Sequence, residues 1–165
     1  MKRLILSLVV ALLIASPALA CLMVDIDIKP ASCPNPLNLK NKGVLPVAFL
    51  GTEEFDVTTI DPATVILWRL GHTGHVVPLR WAYEDVATPF EGEPCDCHVL
   101  GPDGYLDLTL KFDVPELVEK LELDEVAGET IPLILTGKLK EEFGGTPIRG
   151  EDCISVLKEK GPQKK

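Results

Sequence analysis

The chain reads as an all-β protein: a single β-sandwich, Ig-like or related, of about seven strands with one short helix. Three observations predict it. Apolar and polar residues alternate over several short runs, most clearly where Leu106, Leu108, Leu110 and Phe112 share one face and Tyr105, Asp107, Thr109 and Lys111 the other. Turn residues (Gly, Pro, Asn, Asp) punctuate the runs at short intervals. The runs number about seven, with a single brief helix among them, and no internal repeat or second domain boundary interrupts them.

In chain order, residues 24–29 form a half-buried strand, with Val24, Ile26 and Ile28 facing one way and Asp25, Asp27 and Lys29 the other. Pro30, Pro34 and Pro36 make the next stretch a loop. Residues 43–50 are apolar but contain Pro46, which cannot donate to a ladder, so an edge or bulged strand is expected. Residues 64–70 and 76–81 read as a hairpin about Gly71-His72-Thr73-Gly74. Residues 87–103 are the least regular segment. The strand through Leu106 and Phe112 follows it. Asp113 then caps a short helix with Pro115 in its first turn and Leu117, Val118 and Leu121 on one stripe. Residues 130–140 and 148–157 supply the last two strands around Phe143-Gly144-Gly145, and residues 158–165 are a polar tail.

The amino terminus fixes the compartment. Met1-Lys2-Arg3 is basic, residues 4–14 are apolar apart from Ser7, and Ala18-Leu19-Ala20 supplies small residues where an export peptidase reads them. Residues 1–20 are therefore expected to be a signal peptide, too short in its apolar run to span a bilayer, leaving residues 21–157 as the folded domain of a secreted or cell-surface protein. Cys21 would become the first residue, and its lipidation is the one membrane link the sequence offers. Removal of Lys2 and Arg3 moves the formal charge from −9 to −11. Such a chain repels phosphate backbones, which argues against nucleic acid and leaves a protein or a surface polymer as the partner.

In an exported chain Cys33, Cys95, Cys97 and Cys153 are disulfide candidates. A bridge from Cys95 or Cys97 to Cys33 or Cys153 is expected to tie the irregular segment to a distant strand, since Cys95 to Cys97 would be strained.

Ile26-Asp27-Ile28-Lys29-Pro30, Pro34-Asn35, Gly43-Val44-Leu45-Pro46-Val47-Ala48 and Phe55-Asp56-Val57-Thr58-Thr59-Ile60-Asp61-Pro62 together resemble a module of secreted bacterial and archaeal proteins. Asp103-Gly104-Tyr105-Leu106-Asp107-Leu108 and Ile148-Arg149-Gly150-Glu151-Asp152 are similar to its second half. The resemblance brings no established activity and implies a structural or adhesive role. Ala31 stands where that module commonly has glycine, and the Asp103 turn carries fewer aspartates than its usual Asp-x-Asp-Gly-Asp form.

Four constellations bear on chemistry. Glu84, Asp85, Asp103, Asp107 and Asp152 are hard oxygen donors that would suit calcium if they converge, with Asp107 on the outward face of its strand. Otherwise they are solvated turn residues. No cofactor is required by any motif. Cys95, Cys97 and His98 form the alternative of a soft-metal site. His72 and His75 flank a turn, and Trp68, Trp81 and Tyr83 are either core aromatics or a sugar-stacking platform. There is no Gly-x-Ser-x-Gly elbow and no phosphate-cradling glycine loop, so no catalytic residue is assigned. The function expected is a non-catalytic extracellular structural or binding module, stabilised by calcium if those acids converge, with an exported hydrolase acting through Glu84, Asp85 or Asp107, or a metal-binding protein using Cys95, Cys97 and His98, as the alternatives.

Overall fold

A computed structural model describes residues 21–93, 95–96 and 98–158. The expected signal peptide, Cys97 and nearly all of the expected tail lie outside the described residues. The described chain is mostly β, with two sheets and one α-helix.

It holds ten strands rather than seven: β1 (Leu22–Met23), β2 (Ile26–Ile28), β3 (Pro36–Leu37), β4 (Val44–Phe49), β5 (Ile60–Arg69), β6 (His75–Val76), β7 (Arg80–Glu84), β8 (Asp107–Asp113), β9 (Thr130–Leu139) and β10 (Pro147–Val156). The first sheet runs β1-β10-β9-β5-β6, with β3 also pairing β10; the second runs β2-β4-β8-β7. β1 and β3 lie parallel to β10, and the other pairs are antiparallel. The three additional strands, β1, β3 and the separate β6, have two residues each, too few to show a period.

One hydrophobic cluster holds side chains from both sheets: Phe49, Leu108, Leu110 and Phe112 from the second, Val65, Leu67, Leu133, Leu135, Ile148 and Ile154 from the first. The helix α1 (Val114–Lys120) follows the capping logic of its sequence. The Asp113 carboxylate accepts the Glu116 N–H at 2.9 Å, Pro115 sits in the first turn, and Leu117 and Leu121 enter the core.

Two strand expectations are corrected. β4 is an inner strand between β2 and β8, although it contains Pro46. The Pro46 carbonyl accepts from Lys29, so its nitrogen also faces β2. The β2 ladder ends at Ile28, and Lys29 turns away at φ 57°, so no ladder bond is asked of that nitrogen. The strand expected over residues 76–81 is divided. His75 and Val76 close a short hairpin on β5, Pro78 interrupts, and Arg80 onward joins the other sheet as β7.

Candidate functional site

The outer face of the second sheet carries the acids. Register puts Asp27, Ala48, Thr109 and Ala82 in one row across β2, β4, β8 and β7, with Asp107 opposite Glu84 in the next row on that face. Ile26, Ile28, Val47, Phe49, Leu108 and Leu110 point to the other side, into the core. Part of the segment between β7 and β8 folds back over the outer face, where Ala87 packs on Ala48 and Leu50.

Asp107 anchors that segment. Its Oδ1 accepts the Gly51 N–H at 2.9 Å, and its Oδ2 accepts the N–H groups of Val86 at 2.8 Å and Ala87 at 3.1 Å. The side chain does point outward, as the alternation predicts, but it is buried beneath the segment. Burial raises its pKa, the three backbone donors oppose the rise, and the Asp103 charge adds to it. Gly51 is required here, because a Cβ would stand 2.1 Å from the Leu106 carbonyl oxygen.

Asp85 and Asp103 build the turn before β8. Asp85 accepts the N–H groups of Asp103 at 3.0 Å and Gly104 at 2.9 Å, and Asp103 accepts that of Tyr105 at 3.0 Å. Glu84 accepts the Thr109 hydroxyl at 3.0 Å. Asp152 belongs elsewhere: on β10 its Oδ2 accepts the Ile28 N–H at 2.7 Å, tying the free side of β2 to the first sheet, and its Oδ1 accepts the Cys153 N–H at 2.6 Å. Burial raises the Asp152 pKa against these bonds and the nearby His98. Among the described residues, no three of the five acids bring ligand oxygens within 4.8 Å of one another; the group that meets that spacing is His72, Glu122 and Glu125.

The acid that sequence reasoning missed is Asp27. It is buried, and among the described residues its carboxylate has no hydrogen-bond donor. Burial, then the charges of Asp152 and Asp107, push its pKa from 3.8 to about 7. Between those values the folded state binds more protons than the unfolded state, so this group's contribution to stability falls as pH rises. Asp27→Asn is expected to raise stability at pH 8 by on the order of 2 kcal/mol and to flatten the stability profile between pH 4 and 7. Urea midpoints measured across that range check it, and a variant that keeps the wild-type profile would sink the assignment.

The cysteines hold the covering segment down. Cys95 is bonded to Cys153 of β10 across 58 residues, with Cα atoms 5.0 Å apart, and Cys33 is also disulfide-bonded. This is the long-range tether expected from sequence. It also removes Cys95 as a thiolate, so a soft-metal site of Cys95, Cys97 and His98 loses its first ligand. His98 instead stacks on Phe90, with centroids 4.5 Å apart and 18° between planes. Asp25, Glu93, Asp96, Glu151, Asp152 and His98 line an acidic cavity of about 140 Å³ beside it. Cys21 is exposed and unpaired.

The histidine and aromatic sets are each divided. His72 Nδ1 lies 3.1 Å from Glu122 Oε2, while His75 sits on β6 opposite Trp68. Trp68 is on the first sheet under the Arg149 guanidinium, 5.7 Å from its ring centroid. Trp81 and Tyr83 are on β7 of the second sheet, both substantially exposed. The structure thus gathers Glu84, Asp85, Asp103 and Asp107 about the base of one covering segment, Asp152 under its tether, and two of the three aromatics on one strand. Comparison with protein-family models, with curated proteins and with solved structures finds no match.

Proposed function

We propose that the chain is a non-catalytic extracellular module: a β-sandwich of Ig-like type, exported, that serves a structural or binding role toward a protein or a surface polymer. The observation that carries this reading is the state of Asp107. A hydrolytic acid needs an oxygen free to meet substrate or water, and both Asp107 oxygens are occupied by three backbone N–H groups under a covering segment. Asp85 is likewise spent on two backbone donors. Two facing sheets with a shared core support the sandwich, and the Cys95–Cys153 bridge fits an oxidising compartment. The acids act as loop clips that need no cation, so calcium is a dispensable ligand.

Two measurements on the purified, oxidised chain test this. A screen against glycans, esters and peptides is expected to show no turnover, and turnover abolished by Glu84→Gln or Asp85→Asn with the fold intact would establish the hydrolase instead. Melting temperatures in calcium and in chelator at fixed ionic strength are expected to coincide. A rise in calcium alone would place a cation among these carboxylates, by linkage.

A further inference from the structure

Sheet edges are where β proteins guard against unwanted pairing, usually by keeping edge strands short. Three strands bordering the first sheet, β1, β3 and β6, have two residues each, and β2 at one border of the second has three. β7, at the other border, has five, all exposed. It pairs only with β8 among the described residues, which leaves its second side open.

The two faces of β7 differ. Trp81 and Tyr83 stand opposite Leu110 and Leu108, so they project on the core side, yet they are 49% and 39% exposed. Leu79, just before the strand, is 56% exposed. Arg80 and Glu84 take the outer face, with Arg80 opposite Lys111 in β8. Arg80 makes no ion pair among the described residues.

We infer that β7 is a self-association edge: two copies of this chain join β7 to β7 antiparallel about a twofold axis through Ala82, making one continuous sheet of eight strands. The strand Arg80-Trp81-Ala82-Tyr83-Glu84 is self-complementary in that register. Arg80 meets Glu84 of the second copy, Glu84 meets its Arg80, and each Trp81 meets a Tyr83 on the other face. Opposite charges and aromatic pairs directly across strands are the favourable cross-strand contacts. The alternatives are disfavoured by the same residues. Parallel pairing sets Arg80 against Arg80 and Glu84 against Glu84, and a two-residue slip breaks both charge pairs. An isologous contact of this kind closes on itself and does not propagate. This pairing is independent of whether the chain is catalytic.

Sedimentation equilibrium of the oxidised chain from micromolar to millimolar concentration tests it. The expected result is a reversible rise from the monomer mass to twice that mass. Glu84→Arg is expected to weaken the dimer at least about tenfold by setting Arg80 against a second arginine. Arg80→Glu combined with Glu84→Arg keeps self-complementarity and is expected to restore it. Both positions are exposed, and melting temperatures at high dilution confirm that each variant is folded. A chain that stays monomeric to millimolar concentration, or a dimer that the single and double variants alter alike, overturns the proposal.

Discussion

Asp107→Ala is expected to lower the free energy of unfolding by about 3–5 kcal/mol, because three backbone N–H groups lose their acceptor at once and two of them, on Gly51 and Ala87, are buried. An unsatisfied buried donor costs about 1–3 kcal/mol, and little water can reach these two without displacing Ala87 from Ala48 and Leu50. Asp107→Asn is expected to be no remedy. Its single carbonyl oxygen can serve Gly51, but its amide then faces the Val86 and Ala87 N–H groups donor to donor. Asp85→Ala, at a more open turn, is the comparison and should cost about 1 kcal/mol. Urea unfolding of the three variants checks the order. If Asp107→Ala falls by no more than Asp85→Ala, Asp107 is not the anchor described above.

Removal of the Cys95–Cys153 bridge by Cys95→Ser with Cys153→Ala is expected to cost about 4 kcal/mol, the chain-entropy value for a loop of this length. The targeted pair is preferable to reduction, since Cys33 is also disulfide-bonded and a reductant would cleave both. The loss should be local as well as global. Backbone amides of Val86 and Ala87 are expected to exchange faster, because Asp107 holds the start of the same segment that the bridge holds at its middle, at Cys95. An unchanged denaturation midpoint would show that Asp107 and the packing of Ala87 suffice alone. The two perturbations share that segment, so their combined effect should fall short of the sum.

Self-association through β7 and the clips on the neighbouring face bear on one another. Glu84 ends β7, and Asp85 begins the clipped turn. The covering segment therefore sets where the edge strand stops, and with it the five-residue length that makes Arg80 and Glu84 its two ends.

The sequence by itself determined the long elements. The alternation fixed β8 and its core face from Leu108 to Phe112, although Leu106, expected on the same face, precedes the strand and is exposed; Asp113 and Pro115 fixed the start of α1, and the last two long strands lie where their apolar runs put them. In each case the signal is local, a period or a cap that a few neighbouring residues spell out. The need for a tether between the irregular segment and a distant strand was also legible, from cysteines behind an expected signal peptide. What only the tertiary structure decided was the neighbourhood of each element. Two-residue strands carry no period, so β1, β3 and β6 exist through their partners. Pro46 argued for an edge, but β4 became an inner strand because β2 is short enough to leave that nitrogen unasked. Asp27 and Asp107 show the limit most clearly. Alternation assigned both to the polar face, and that assignment is right, yet both are buried. A period of two says which way a side chain points; whether that face meets water depends on a segment with no period of its own, held there by a disulfide and by backbone donors that no local pattern encodes.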